Sequence, residues 1–209
     1  MKEQYYENLL SIKTAGKQDL EETSIHYNRY EPTSYEALNT LFEEYKISGT
    51  DSVIDFGCGK GRLNFYLNHF FKCRVTGIEM NKYFYKQALS NKKDYIEKQK
   101  VKEDKVSFVC TFAQEYEIKE EDNKFYFFNP FSVEIFMKVL DNILGSVYEF
   151  KRDVELILYY PSDDYIFFLE QYTVFSLVKE VRMDDFKTDS RDRFVVYKMS
   201  FSEDGSLEF

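Results

Sequence analysis

Asp55-Phe56-Gly57-Cys58-Gly59-Lys60-Gly61-Arg62 puts one acid and three alternating glycines into a single short stretch. Glycine at that density lets the chain adopt positive φ angles and lets backbone N–H groups come close to a ligand. The dinucleotide fingerprint spaces its glycines G-x-G-x-x-G and holds a pyrophosphate at a helix N-terminus. Here the spacing is G-x-G-x-G, and the acid in front would repel a phosphate while suiting a ligand with a cationic group. Further along, Glu79 ends a second apolar run, where a carboxylate can accept hydrogen bonds from both hydroxyls of a ribose.

A second site for chemistry is the turn Asn129-Pro130-Phe131-Ser132, which ends the aromatic run Phe125 to Phe128. Asn129 is placed to orient something polar. Ser132 reads better as the N-cap of the next helix than as a reacting group. Cys58 lies inside the glycine loop and Cys73 and Cys110 sit in or beside apolar runs, so no cysteine is assigned a chemical role. With two histidines, His26 and His69, and no CxxC pair, no metal site is expected. His26 is a candidate general base ahead of the first strand, and His69 on the first helix after the loop is given no role.

The elements that hold these residues alternate. Val53 to Phe56 reads as a strand, and Leu63, Tyr66, Leu67, Phe70 and Phe71 follow the glycines at helical spacing. Arg74 to Glu79 reads as a strand and Tyr83 to about Lys100 as a helix. Val106 to Cys110 and Phe125 to Phe128 are apolar runs too short for helices, predicted to be buried parallel strands. Ile135 to Leu144 marks a helix opened by Ser132 and closed by Gly145. Glu155 to Tyr160 is a fifth strand stopped by Pro161. Val174 to Val181 and Phe194 to Met199 are two more strands, joined by a polar stretch without a helix and predicted to pair as an antiparallel edge hairpin. Upstream, Pro32 and the spacing of Tyr35, Leu38, Leu41, Phe42 and Tyr45 predict a helix from Thr33 or Ser34. The pattern is α/β, and nothing marks a boundary except residues 1–32, read as a helical arm or lid on a domain spanning 33–209.

Composition narrows the function. The chain has 209 residues, 44% of them hydrophobic, enough for one core without disulfides or metal. A net charge of −9 weighs against a nucleic acid partner. Residues 82–105 hold eight lysines (82, 86, 92, 93, 98, 100, 102 and 105) against Asp94, Glu97, Glu103 and Asp104; this is read as a solvated helix face before a phosphate-binding stripe. No run of about 20 apolar residues predicts a membrane span, and the charged start Met1-Lys2-Glu3-Gln4 lacks the apolar core of a signal peptide. A soluble, unprocessed protein in the reducing cytoplasm is the expectation.

The loop, the acid before it and the strand-end Glu79 together resemble the class I S-adenosylmethionine-dependent methyltransferases, over residues 33 to 201. The resemblance implies a three-layer Rossmann-like sandwich around a mostly parallel seven-stranded sheet with an antiparallel C-terminal hairpin, in the order 3-2-1-4-5-7-6. It implies S-adenosyl-L-methionine as cofactor, with Gly57, Cys58, Gly59 and Gly61 as its loop. Asp55 would lie beside the methionine end, and Glu79, followed by Met80, would be the ribose acceptor. In the family an acid after the third strand often binds the adenine amine. Here that stretch reads Thr111-Phe112-Ala113-Gln114, so the Ala113 backbone or the Gln114 amide would serve instead, with Phe112 as a stacking ring. The turn after the fourth strand is where the family places the residue nearest the methyl group, which nominates Asn129 and Phe131. Relatives that methylate an amine or amide carry a second proline there. This chain lacks it, shifting Phe131 by one position, so the acceptor stays open between a small molecule, a protein side chain and RNA. Tyr27, Tyr30 and Tyr35 fall where the family often builds a cover. Two other readings are a cofactor-binding module without catalysis and a nicotinamide-dependent oxidoreductase. The glycine spacing, Asp55 and the terminal hairpin count against the second.

Overall fold

A computed structural model describes residues 2–16, 27–202 and 207–208; His26 lies outside the described residues. Strands β1 (Ser52–Phe56), β2 (Arg74–Ile78), β3 (Val106–Val109), β4 (Lys124–Phe127), β5 (Val154–Tyr159), β6 (Ser176–Arg182) and β7 (Arg193–Phe201) form one sheet in the order β3-β2-β1-β4-β5-β7-β6. The first five are mutually parallel; β7 runs antiparallel to β5 and to β6. A short eighth strand, β8 (Leu207–Glu208), pairs with the end of β7. The seven-strand order is the expected one.

Strand alternation feeds two separate cores, as a sheet covered on both faces requires. Val53, Val75, Phe108 and Tyr126 pack on one face with helices α2 (Tyr35–Glu44), α3 (Arg62–Phe71) and α4 (Lys82–Gln99). Leu10 of helix α1 (Lys2–Leu10) joins that core. Ile54, Phe56, Phe125 and Phe127 pack on the other face with α5 (Val133–Glu149) and α6 (Asp163–Tyr172). Asp55, between Val53's face and the turn, therefore points toward α3.

Four expectations change. Helix α5 does not stop at Gly145 but runs to Glu149. An added Cβ at Gly145 would meet open space, and the helix end is instead served by Arg152, which donates to the Ser146 and Phe150 carbonyls at 3.2 and 2.8 Å. Helix α6 is additional: Ser162 caps it by accepting from Tyr165 N, and Asp163 and Asp164 favour its first turn. Strand β3 is only half-buried, because it is the sheet's edge. The stretch between β6 and β7 contains one turn of 3-10 helix, Asp184–Lys187.

Candidate active site

Each glycine of the loop has a positive φ, and each gives way to a different neighbour. A Cβ at Gly57 (φ +78°) would stand 2.8 Å from Pro130 Cβ, and one at Gly59 (φ +54°) 2.1 Å from Tyr30 Cε2. At Gly61 (φ +86°) it would meet Phe108 Cζ at 2.6 Å. Gly57 thus admits the turn after β4, Gly59 admits the N-terminal segment, and Gly61 lets α3 pack closely on the sheet. Gly77 in β2 belongs to the same arrangement, since a Cβ there would lie 2.6 Å from Cys58 Sγ.

Two carboxylates stand at the C-terminal ends of neighbouring strands. Asp55 is 4% exposed; burial first, and the charge of Glu79 second, push its carboxyl up to about 8. The Asn64 side-chain amide, its nitrogen facing Asp55, donates to Oδ2 at 3.0 Å and accepts from Gly77 N at 3.1 Å. Glu79 accepts from Gly59 N at 2.9 Å and from Asn81 N at 2.7 Å, which ties the loop crest to the end of β2. Burial raises its pKa against those backbone bonds. Among the described residues neither carboxylate is ion-paired with a lysine or arginine.

Both acids line a cavity of about 510 Å³, together with Gly57, Cys58, Met80 and Ala113 of the predicted set, a size within the usual range for small-molecule sites. Gly59 and Gly61 do not line it: the first is covered by Tyr30 and the second faces Phe108. Cys58 is buried, and burial pushes its thiol well up, so it stays protonated. Thr111 and Ala113 line the cavity, whereas Phe112 is exposed and faces Tyr27 at 6.2 Å between ring centroids. Gln114 Oε1 is buried without a hydrogen-bond partner among the described residues.

The turn after β4 forms another wall. Phe128, Pro130 and Phe131 line the cavity; Asn129, between them, does not, and its backbone is left-handed at φ 39°. Phe131 is 3% exposed, edge-on to Phe127, and its carbonyl accepts from Tyr165 Oη at 2.6 Å. The N-terminal segment is laid across this turn. Tyr27 and Phe131 form an antiparallel bridge, Asn28 N donates to Pro130 O at 3.0 Å, and Asn28 Nδ2 donates to Asn129 O at 2.6 Å. Residues 27–33 consequently roof the cavity.

Sequence reasoning left out Asn64, Arg62 and Thr33. Among the described residues, Arg62 is buried among partners that all precede β1, and Thr33 Oγ1 lies 2.8 Å from Tyr126 Oη. The one signal available was an arginine directly after the last glycine. No group of three His, Cys, Asp or Glu suited to a metal occurs among the described residues, and no described helix is long and apolar enough to cross a membrane.

Residues 33–129 match the family model described as "Methyltransferase domain". No curated protein matches the sequence. Among solved structures, an RNA methyltransferase from Salinibacter ruber in complex with S-adenosyl-L-homocysteine is 17% identical with a TM-score of 0.54, covering 80% of this chain and 92% of its own. An rRNA methylase from Streptococcus thermophilus is 12% identical with a TM-score of 0.52, over 78% and 93%. A protein from Pyrococcus horikoshii is 17% identical with a TM-score of 0.55, over 95% and 98%. At these identities the likeness is one of fold.

Proposed function

We propose, from the premise that this chain carries an S-adenosyl-L-methionine-dependent methyltransferase domain, that its roofed cavity binds that cofactor and that the methyl acceptor is a small molecule. The cofactor's ammonium and sulfonium charges suit a cavity whose two buried carboxylates, Asp55 and Glu79, have no lysine or arginine ion-pair partner among the described residues. Glu79 would accept from the ribose, with Met80 beside it. Asp55 would face the methionine end, and Gly57 and Cys58 would shape the floor, with Gly59 and Gly61 behind it making room for Tyr30 and Phe108. Ala113 would meet the adenine. Residues 1–32 would act as an arm over the domain at 33–209.

Bound S-adenosyl-L-methionine supplies an electrophilic methyl group and leaves as S-adenosyl-L-homocysteine. The chain's task is then alignment and charge placement, with no covalent protein nucleophile. Pro130 and Phe131 would wall the acceptor end. Asn129, outside the cavity lining and with its carbonyl held by Asn28, would act by fixing the turn that sets Pro130 and Phe131. Excluding water falls to the bridge between Tyr27 and Phe131.

The observation that carries the small-molecule reading is this roof. A folded RNA or protein would have to break the Asn28 bonds to Asn129 and Pro130 to reach the cavity, and the net charge of −9 offers a polyanion no attraction. Free Cys58, Cys73 and Cys110 suit a reducing cytoplasm. The test is transfer of labelled methyl to the small-molecule, protein and RNA fractions of a cell extract. Label in the small-molecule fraction alone supports the proposal, and label in RNA or protein contradicts it. A non-catalytic cofactor-binding module is the second reading, favoured by the near-complete burial of Phe131; cofactor binding with no label in any fraction would select it.

A further inference from the structure

Within the cavity, the N-terminal segment and the glycine loop meet at Tyr30. Its ring lies on Gly59, 2.1 Å from where a Cβ would stand. The hydroxyl donates to Thr14 O at 2.7 Å, the ring packs on Phe84 at 4.7 Å between centroids, and the Lys60 ammonium sits 5.0 Å from its centre. Tyr30 lines the cavity and Gly59 does not, so a ligand meets the loop's crest through this ring.

Thr14 is held in turn by Arg62, the first residue of α3. The Arg62 guanidinium is buried, with a side-chain exposure of 5%. Its Nε donates to Thr14 Oγ1 at 2.7 Å and a terminal nitrogen donates to Thr33 O at 3.2 Å. It pairs with Glu3 at 2.8 Å and Glu7 at 3.6 Å, and it stacks over Tyr35 at 4.5 Å. Glu7 closes the circuit by accepting from Thr14 N, Thr14 Oγ1 and Tyr35 Oη at 2.7, 2.5 and 3.0 Å. Every partner of Arg62 among the described residues precedes β1, while Arg62 itself follows the loop. Burying a guanidinium is costly unless its hydrogen-bonding fork is filled. Among the described residues, the groups that meet this one all come from the segment that carries Tyr30 and from the start of α2.

We propose that Tyr30 is a cofactor-contacting wall and that Arg62 is the positioning residue which, through Thr14, seats the Tyr30 ring on Gly59. The inference rests on the cofactor reading above. It makes the N-terminal segment a part of the cofactor site, set in place by the residue that ends the glycine loop.

The test is calorimetric titration of S-adenosyl-L-homocysteine into wild type, Tyr30→Ala, Tyr30→Phe, Arg62→Lys and the Arg62→Lys/Tyr30→Ala double variant, with a thermal melt of each. Tyr30→Ala should weaken binding about tenfold. Tyr30→Phe, which keeps the ring but loses its bond to Thr14, should fall between that and wild type. Arg62→Lys, which retains the charge but not the planar fork, should weaken binding by a comparable factor and add little in the double variant. A merely structural arginine would lower melting temperature without that non-additivity in affinity. Wild-type affinity in Tyr30→Ala or Arg62→Lys, or additive losses in the double variant, would overturn the proposal alone. Absence of binding to the wild-type protein would overturn the cofactor reading and this proposal together.

Discussion

The side-chain amide of Asn64, in the first turn of α3, donates to Asp55 Oδ2 at 3.0 Å near the end of β1. The same amide accepts from Gly77 N in β2 at 3.1 Å, so one buried side chain joins the helix after the glycine loop to both strands that carry the site's acids. Leucine at 64 would fill the space but supply neither bond. Losing two such buried bonds costs about 2 kcal/mol. Asn64→Leu should lower the urea midpoint accordingly without changing the denaturant slope; an unchanged midpoint would show that the amide contributes nothing net.

Asp55 gives a pH dependence with a definite sign. Its ordinary pKa of 3.8 is pushed up to about 8 by burial and then by Glu79. Between those values the folded chain keeps a proton that the unfolded chain has lost, so this group's contribution to stability falls as pH rises from about 4 to about 8. Asp55→Asn cannot titrate, and its melting temperature should vary less across that window. A cationic ligand favours the ionised form. Binding of S-adenosyl-L-methionine at neutral pH should therefore release a proton, seen as heats that vary with the buffer's ionisation enthalpy. The variant should show no such release, and equal release by both proteins would count against this role.

Glu79 holds Gly59 N and Asn81 N with separate oxygens. Glutamine can keep only one of those acceptors and would turn an amide donor toward the other N–H. Hydrogen bonds to a charged group are worth about 1.5–3 kcal/mol, so Glu79→Gln should weaken S-adenosyl-L-homocysteine binding about tenfold to a hundredfold by calorimetry. A loss below twofold would remove Glu79 from the site.

At the opposite end of the sheet, Lys124 donates to Glu155 Oε2 at 2.9 Å and to Tyr45 Oη at 2.9 Å, with Asp51 at 4.0 Å. Tyr45 also donates to the same Glu155 oxygen. Removing the cation strands two carboxylates in a largely buried place, at a cost of about 3 kcal/mol. Lys124→Met should be destabilised by that amount in urea while its cofactor affinity matches wild type. An affinity change in this variant would mean that the two ends of the sheet are coupled.

What was legible in the sequence is what short-range pattern encodes. The three loop glycines, Asp55 before them and Glu79 closing the next strand follow one another within two elements, and the sheet order followed from family resemblance. Helix α6 was missed because only Tyr165 and Leu169 face inward while exposed Phe167 and half-buried Phe168 blur the period. Gly145 misled because its position faces solvent, where a glycine interrupts nothing. Arg62, Asn64 and Thr33 carry no local signature: their partners lie far away in sequence, and only packing brings them together.

Whether the cavity bearing Asp55 and Glu79 is built for S-adenosyl-L-methionine is decided by calorimetry of the wild-type chain with S-adenosyl-L-methionine, S-adenosyl-L-homocysteine and NADH. Micromolar binding of the two sulfur ligands with none of NADH, weakened in Glu79→Gln, is the predicted result. A folded protein that binds neither sulfur ligand, or that prefers NADH, would contradict it.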